Sequence, residues 1–383
     1  MANDKAFKVK NGLVAQRYLQ SAGTETAASV GYSLANASYD NVSFSFTSQD
    51  TSPTYHFFKP DGLTLFMLGW TNDSVYQYTL STAWDISTAS YASKSFSVAT
   101  EQLDPYGLFF KSDGTKMYIA GTTGDAIFQY SLSTAWDVST ASYDSVSFSV
   151  ASEGTFPSGL AFSDDGTSMY VSDGIDFISQ YTLSTAWDIS TAIYASKSFS
   201  TVGIDTNPYQ MVFVDDGTRM FFVGTEFDKV YEVELSTAWD VSTGTITSNT
   251  LDVSTETAGY PFGLSFSSDG TNMHITAAGS VDAILQYSTV SLTQTLDLST
   301  GTYFSFTPSG ATTVSFTNPP ASGLAVAFAV EINGDGSAIT WPTSVKWHEA
   351  TAPTATATKE IYTFITTDGG TTYYGKKAAG ELA

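Results

Sequence analysis

The sequence repeats itself with a period close to 52 residues over most of its length. A word of the form STAWDIS or STAWDVS recurs, with its tryptophan at Trp84, Trp136, Trp187 and Trp239. A second word, Asp-Gly, recurs with its aspartate at Asp61, Asp113, Asp165, Asp216 and Asp269. A fixed period of this length means that one supersecondary unit is stacked several times, so the chain must fold as a repeat architecture.

Each unit has the pattern of four antiparallel strands. In the second unit the first strand is "YGLFF" (106–110), and an Asp-Gly-Thr hairpin turn follows it. "KMYIAG" and "AIFQYSL" form the second and third strands, and "SVSFSV" (145–150) forms the outermost. Four antiparallel strands in about 50 residues are typical of a blade of a β-propeller.

The two ends of the array predict how the ring closes. Residues 31–46 match residues 135–150 at an offset of two periods, with Tyr32 in the tryptophan column, so the array begins with the last part of a unit. It ends at 283–289, after the third strand of a unit. We therefore expect strand 41–47 to complete the blade formed by 261–288. The result is a closed five-bladed propeller over residues 32–289, without open sheet edges.

The repeat stops at Val290, and eight short runs with turn residues between them follow. They predict a C-terminal β-sandwich or jelly-roll-like domain over residues 290–383. The predicted fold class is therefore all-β, with a propeller, this sandwich, and a non-repeating N-terminal segment of residues 1–31.

The chain is strongly acidic, with 15 basic and 38 acidic residues and a net charge of −23. Such a charge argues against nucleic acid as a partner, because phosphate binding depends on clustered lysine and arginine. The first 17 residues are an exception, since Lys5, Lys8, Lys10 and Arg17 face a single acid, Asp4. Residues 1–31 are predicted to be an anchoring arm that docks on a partner, and a short solvated tail is the alternative.

Targeting signals also bear on the setting. The N-terminus lacks the apolar core of a signal peptide, no stretch approaches the length of a membrane span, and the chain has no cysteine. A body that looks like an extracellular adhesion protein but carries no export signal suggests a virion protein made in the host cytoplasm.

Several words resemble those of known families. The segment "SDGTKMYIAGTTGDAIFQYSLSTAWD" resembles bacterial and phage propeller repeats of the Tyr-Val-Thr-Asn type, and this resemblance covers about residues 32–289. "ITWPTSVKW" and "YTFITTDGGTTYYGKK" look like modules at the ends of phage tail-fibre and other virion proteins, and "FKVKNGLV" is similar to the N-termini of structural proteins of marine phages. The first resemblance implies a fold, and the others imply a phage particle.

Catalytic motifs are sparse. The chain has three histidines and no cysteine, and it contains no GxSxG, HExxH or glycine-rich phosphate loop. His274 falls in the column of Phe66, Tyr118, Tyr170 and Phe221, which favours a packed strand position. His56 replaces an aliphatic residue of the inner strand, either as an irregularity of the first blade or as a residue lining the channel. These positions do not assemble a Ser-His-Asp triad, so we expect no enzymatic activity.

The tryptophan column has two interpretations. Four equivalent tryptophans can offer stacking platforms for sugars. Because each one follows the third strand and leads to the outer strand, we expect it instead to wedge between blades, with the next aspartate capping the turn.

Two sets of acids form the candidate binding face. The loop between the second and third strands supplies Asp73, Asp125, Asp176, Asp228 and Asp282. The loop that leads to each first strand supplies Asp50, Glu101, Glu153, Asp205 and Glu256. Both loop sets lie on one face of a propeller, around one mouth of its channel. The carboxylates either accept N–H bonds within their own turns, or they bind a cation or a polyhydroxylated ligand. We expect no cofactor and at most weak Ca²⁺ binding.

The leading functional hypothesis is a bacteriophage virion structural protein, on a tail fibre or a capsid, with a role in attachment to the host surface. Its expected partners are other virion proteins through residues 1–31, a host surface glycan, and further copies of itself. The alternatives are a lectin-like carbohydrate-binding propeller and a polysaccharide-degrading glycosidase. A glycosidase needs acids with unequal environments, whereas acids that repeat from blade to blade have nearly equal ones.

Overall fold

The computed structural model describes residues 32–289, 292–308, 312–334, 339–348, 351–356 and 358–382, together with short strands within the first thirty residues. The chain divides into two compact units. One unit is Gly31–Thr289, and the other combines Met1–Val30 with Val290–Ala383. No helix of the described residues is long and apolar enough to cross a membrane.

Among the residues that the structure describes, four short strands precede the propeller. They are β1 (Phe7–Lys8), β2 (Val14–Ala15), β3 (Gln20–Ser21) and β4 (Thr24–Ala27). Strands β1 and β2 pair with each other, and β3 and β4 pair with strands of the C-terminal region. The basic side chains of Lys5, Lys8, Lys10 and Arg17 lie outside the described residues.

Twenty strands form the propeller, beginning with β5 (Ser38–Ser45). Blade 1 comprises β6 (Pro53–Phe58), β7 (Thr64–Gly69), β8 (Ser74–Leu80) and β9 (Ala89–Ser97). Blade 2 comprises β10 (Pro105–Phe110), β11 (Lys116–Gly121), β12 (Ala126–Leu132) and β13 (Ala141–Ser149). Blade 3 comprises β14 (Gly159–Phe162), β15 (Ser168–Ser172), β16 (Phe177–Leu183) and β17 (Ala192–Ser200). Blade 4 comprises β18 (Pro208–Val214), β19 (Arg219–Gly224), β20 (Lys229–Leu235) and β21 (Gly244–Asp252), and blade 5 begins with β22 (Tyr260–Phe266), β23 (Asn272–Ala278) and β24 (Ala283–Ser288).

The N-terminal strand closes the ring, as the sequence predicts. β5 pairs antiparallel with β24 from Ser38 opposite Ser288 to Ser45 opposite Ala283, so it is the outer strand of blade 5. The inner strands contact one another around the axis, and β22 of the last blade contacts β6 of the first. The five-bladed propeller is therefore confirmed, with one blade built from both ends of the array.

Short helices lie between the strands. A 3-10 helix follows each STAWD word, and the equivalent position in the first partial unit has one too: Leu34–Asn36, Ile86–Thr88, Val138–Thr140, Ile189–Thr191 and Val241–Thr243. The aspartate of each STAWD word caps the helix, as when Asp137 accepts the N–H of Ser139 at 3.1 Å. Two further helices are Asp215–Gly217, a 3-10 helix in an Asp-Gly turn, and α1 (Ser254–Thr257).

Each repeat tryptophan lies over the Asp-Gly turn of its own blade. Trp136 has a left-handed backbone, with φ of 64°, and its N–H bonds to the carbonyl of Gly114 at 3.0 Å. A Cβ on Gly114 would stand 2.4 Å from the indole ring, so only glycine fits there. The ring also stacks on Phe57 and Phe66 of blade 1, with centroids 6.4 and 6.2 Å away. The predicted wedge between blades is confirmed.

A glutamine in the third strand forms a second link between blades. The amide oxygen of Gln129 in blade 2 accepts the N–H of Ile189 in blade 3 at 3.2 Å. Gln77, Gln180 and Gln286 make the same bond to the following blade. Blade 4 has Glu232 instead, which accepts from the Arg219 guanidinium at 2.9 Å, and Arg219 in turn reaches the carbonyl of Tyr32 in blade 5 at 3.4 Å.

The C-terminal region supplies the eight predicted strands. They are β25 (Leu292–Asp297), β26 (Tyr303–Phe306), β27 (Thr312–Thr317), β28 (Val326–Asn333), β29 (Ile339–Thr340), β30 (Val345–Trp347), β31 (Lys359–Thr366) and β32 (Tyr373–Leu382). They form two sheets, in the orders β29-β27-β25-β4 and β3-β26-β28-β31-β32-β30. One buried cluster contains side chains of both sheets, such as Leu296 and Val314 of the first and Phe328 and Phe364 of the second. This packing is a sandwich, and its sheets contain parallel as well as antiparallel pairs.

The prediction of a separate arm over residues 1–31 needs correction. β4 pairs antiparallel with β25, from Ala27 opposite Leu292 to Thr24 opposite Thr295, and β3 pairs with β26. These residues therefore complete the two sandwich sheets, because they occupy edges that β25 and β26 would otherwise leave open. In the chain, the propeller is inserted between two neighbouring strands of the sandwich.

Ring closure predicts a large loss of stability when β5 is removed. A chain spanning Asp50–Thr289 loses the pairing to β24 and the buried side chains of Leu34 and Phe46. Those two side chains alone contribute about 1.5–3 kcal/mol each, against roughly 5–15 kcal/mol for a whole domain. We expect this chain to aggregate or to melt far below a chain spanning Gly31–Thr289. Equal melting temperatures in calorimetry would contradict the closure.

The wedge also predicts the effect of a tryptophan substitution. Because Trp136 is only half-buried, we expect Trp136→Ala to lower the free energy of unfolding by about 2–3 kcal/mol, below the range for a fully buried aromatic. Trp136→Tyr serves as the control, because Tyr32 fills this position in blade 5. Urea titration measures both. Unchanged stability together with lost sugar binding would assign the column to ligand contact instead.

Candidate functional site

The two propeller histidines lie where blade 5 meets blade 1. His274 is fully buried, and its Nε2 lies 2.9 Å from the carbonyl oxygen of Trp84. Tyr118 and Tyr170 make the same contact to the tryptophan of the next blade, so the predicted packed position is confirmed. His56 is also fully buried, with Nδ1 2.6 Å from the Thr276 hydroxyl and Nε2 2.7 Å from the Ser265 hydroxyl. It is therefore a polar bridge between the first and last blades.

The five aspartates between the second and third strands act mainly through their backbones. Asp73, Asp125, Asp228 and Asp282 have φ between 45° and 51°, a left-handed conformation that aspartate tolerates better than most residues. Of the five carboxylates, only that of Asp282 accepts a backbone N–H within its turn among the described residues, from Gly279 at 2.9 Å. The first interpretation, in which each carboxylate accepts an N–H within its own turn, is therefore wrong for the other four.

In blade 3 the capping role belongs to Asp173, which the sequence analysis missed. Its Oδ1 accepts the N–H groups of Ile175, Asp176 and Phe177 at 2.9–3.0 Å. Its place directly after the second strand was the available signal. Asp176, the predicted site residue, contributes the backbone of that turn.

The acids that lead to the first strands fall into two structural classes. Asp50 and Asp205 are buried and accept backbone N–H groups of the loop between the second and third strands, as Gln102 does in blade 2. Glu101 and Glu153 each stand one repeat position before the place that Asp50 and Asp205 occupy. Each accepts a long hydrogen bond from the hydroxyl of a buried tyrosine, at 3.4 and 3.3 Å. Glu256 lies in α1, and burial followed by the Glu256 charge raises the pKa of Tyr287.

Aromatic rings fill the channel mouth on this face. Tyr106, Phe156, Tyr209 and Phe262 come from three inner strands and one adjoining loop, and their ring centroids lie 4.6–6.3 Å apart. The ten predicted acids therefore surround an apolar plug. Among the described residues, no group of three or more histidine, cysteine or acidic side chains is placed to hold a metal ion.

The charges of the propeller are distributed unequally between its two faces. We use the term acidic face for the surface formed by ten loops: 46–52, 70–73, 98–104, 122–125, 150–158, 173–176, 201–207, 225–228, 253–259 and 279–282. These loops contain 13 acids and no lysine or arginine. None of the 13 takes part in an ion pair with another described residue, whereas lysines and an arginine pair with acids of the opposite face, as in Lys59–Asp61 and Lys111–Asp113.

Exposed apolar side chains gather on the same face. Of the eleven large apolar residues that are exposed in the propeller, seven lie in these loops or at the first residue of the strand that follows: Trp70, Leu103, Ile175, Phe177, Val202, Phe227 and Tyr260. Exposed apolar side chains gathered on one face make that face a candidate interaction surface. On this face, aromatic rings lie next to carboxylates, which accept hydrogen bonds but do not donate them.

Trp70 is the most distinctive of these residues. The other four blades have Thr122, Asp173, Thr225 and Gly279 at its position, so the repeat does not require an aromatic there. Its indole N–H donates to the Asp104 carboxylate at 3.0 Å, which holds the ring across the boundary of blades 1 and 2. Burial, and then the Asp104 and Asp50 charges, raise the pKa of the neighbouring Asp73. An exposed ring beside a negative, partly desolvated cluster is a departure from the repeat that points to ligand contact.

The buried histidines between blade 5 and blade 1 predict that the protein loses stability in acid. Burial lowers the pKa of His274 to about 4, against about 6.5 in an unfolded chain. The folded state therefore keeps this group neutral, and the unfolded state takes up a proton as pH falls below about 6.5. Because of this group, the free energy of unfolding should fall by roughly 2 kcal/mol as the pH is lowered from 7 to 5.

His274→Phe isolates that contribution, because Phe66 and Phe221 occupy the same column in other blades. Urea unfolding at both pH values should show a smaller acid loss in the variant than in the natural chain. Identical pH dependence in the two proteins would contradict the assignment.

No protein-family model matches this chain, and no curated protein matches it. Solved structures that are similar include a protein of unknown function from Desulfotomaculum acetoxidans, with 11% identity and a TM-score of 0.37 over 58% of this chain and 62% of that one. A provisionally named 6-phosphogluconolactonase from Bacteroides uniformis has 14% identity and a TM-score of 0.39 over 62% and 66%. Sqt1 from Chaetomium thermophilum has 15% identity and a TM-score of 0.36 over 62% and 58%. The matched part thus spans about three fifths to two thirds of those proteins, and at these identities and scores no activity is transferred from them.

Proposed function

We propose that this chain is a non-enzymatic attachment protein of a phage particle, and that the acidic face of its propeller binds a polyhydroxylated glycan of the host surface. The recognition role rests on one observation. Exposed apolar side chains are concentrated on that face together with acids that form no ion pair with another described residue. The phage setting rests on the resemblance of the N-terminal segment and of the C-terminal words.

Sugars suit this surface chemically. A sugar ring presents an apolar face that packs on an aromatic side chain, and its hydroxyl groups donate hydrogen bonds to carboxylates, which are pure acceptors. Trp70 and Phe227 are 43% and 52% exposed, so both rings are open to such contact. A polyanion would meet only negative charge in these loops, so the favoured ligand is neutral.

Two observations support binding over catalysis. Both propeller histidines are used as contacts between blades, and their pKa values are lowered by burial, so they are packed groups and not exposed bases. Several of the loop acids also serve structural roles, either as left-handed turn backbone or as buried acceptors of loop N–H groups.

Assembly with other virion proteins belongs to the same proposal. Because β3 and β4 are strands of the sandwich, the anchoring role predicted for residues 1–31 is now proposed for the part before Gln20 together with the sandwich. Several copies per particle, on a tail fibre or a capsid, fit this role. A lectin-like protein without a particle role is the alternative, and recovery of the chain in purified particles separates the two.

The acidic face predicts that substitution of Trp70 weakens glycan binding. On a glycan array and in calorimetry with host polysaccharide fragments, we expect the natural chain to bind neutral glycans. Trp70→Ala should weaken binding about tenfold to a hundredfold, as for an aromatic that stacks on the ligand.

Ile193→Ala is the matched control, since Ile193 is an exposed apolar residue of the outer strand β17, outside the acidic face. It should bind like the natural chain. The proposal fails if Trp70→Ala and Ile193→Ala bind equally, or if the natural chain binds no glycan. Release of reducing sugar would replace it with the glycosidase alternative.

A further inference from the structure

The outer surface of the six-stranded sandwich sheet carries a second, chemically different patch. One row of side chains runs across four strands, with Ala327 opposite Ile365, Ile365 opposite Tyr374, and Tyr374 opposite Lys346. Tyr374 is 60% exposed and Ile365 is 41% exposed, although the opposite side of the same strands lies in the core. This side of the sheet is therefore an apolar surface open to solvent.

The surface forms a groove with a positive rim. The groove has a volume of about 540 Å³ and adjoins a second depression of about 520 Å³, with which it shares Trp347, His348 and Lys376. Small-molecule sites commonly measure about 300–1,000 Å³. Each depression therefore has room for one or two sugar residues.

The charge of the groove is opposite to that of the chain. The described residues lining the two depressions include Lys346, Lys376 and Lys377 and no acid, in a protein of net charge −23. Lys377 is held by the buried carboxylate of Glu360. Lys346 and Lys376 are exposed and have no ion pair within the part of the chain that the structure describes.

Another lysine on the same sheet, Lys359, forms an ion pair and serves as a comparison for the groove lysines. Lys359 at the start of β31 bonds to Glu331 at 3.0 Å, and Glu331 also accepts from the hydroxyl of Ser305. That charge is neutralised within the sheet. The two groove lysines instead keep their ammonium groups available for an anion from outside.

We propose that this groove binds a terminal anionic sugar residue. The ring of Tyr374 supplies a platform for the apolar face of the sugar, and the ammonium groups of Lys346 and Lys376 bind its carboxylate or sulfate. A single terminal charge suits an acidic protein better than a long polyanion, which the net charge repels. This site is independent of the acidic face, because it lies in the other unit and selects the opposite charge.

The test uses the full-length chain and defined oligosaccharides. The probes are an oligosaccharide ending in glucuronate, its sulfated counterpart, its neutral counterpart, and an oligoglutamate peptide. We expect binding of one or both anionic sugars, weakening as salt is raised. Lys376→Gln, Lys346→Gln and Tyr374→Ala should each reduce affinity tenfold or more. Tyr374→Phe should retain binding, since the platform is kept.

Lys359→Gln is the control, because it removes the same charge from the same sheet outside the groove. It should change affinity by less than about threefold, the range of a long-range charge effect. Trp70→Ala should leave this binding unchanged, so failure of the proposed function and failure of this site are distinguishable. The inference is overturned by equal binding of the neutral sugar, by preferred binding of the peptide, by equal losses in Lys359→Gln and Lys376→Gln, or by no binding of either anionic sugar.

Discussion

The propeller depends on the hydrogen-bonded ladder between β5 and β24, which joins the two ends of its array into one blade. A closed ring has no terminal blade, so every blade is packed on both sides. The contacts between blades recur with the repeat: a tryptophan over a glycine turn, a tyrosine on the next tryptophan carbonyl, and a glutamine on the next 3-10 helix. Where the ends meet, His274 keeps the contact to the next tryptophan carbonyl. His56 adds hydrogen bonds to blade 5 that the aliphatic residues at its position in the other blades cannot make.

The repeat also explains why the two faces differ. On the face of the Asp-Gly turns and the STAWD helices, aspartates are structural caps, and several have a lysine close by. On the acidic face, the turns need left-handed backbone or buried acceptors, and neither requirement brings in a basic residue. The negative surface is thus partly a by-product of turn chemistry. The exposed Trp70 is not, because the equivalent positions in the other blades do without an aromatic.

The sequence predicted the blades and their closure because the repeat of about 52 residues leaves a long periodic trace. It predicted the eight C-terminal strands from short runs separated by turn residues. It did not predict the pairing of β3 and β4, since no repeat relates these segments to β25 and β26, their partners far along the chain. It also placed Asp50 and Glu101 in one set, although they stand one repeat position apart and accept from different donors. The sequence shows that Trp70 departs from the repeat. It does not show that the side chain is exposed, because exposure depends on how the neighbouring loops fold.

The insertion of the propeller between β4 and β25 has a consequence for biosynthesis. Thr24 and Ala27 must find partners at Thr295 and Leu292, which the ribosome adds more than 260 residues later. At roughly 5–20 residues per second, this interval is on the order of ten seconds or more. The last propeller strand ends at Ser288, only four residues before Leu292, so the ring can close only when this interval is almost over. Its closure pairs Ser38 with Ser288 and brings the two flanking segments together. The ring then acts as a short connection that converts a very distant pairing into a nearly local one, which lowers the entropy cost of completing the sandwich.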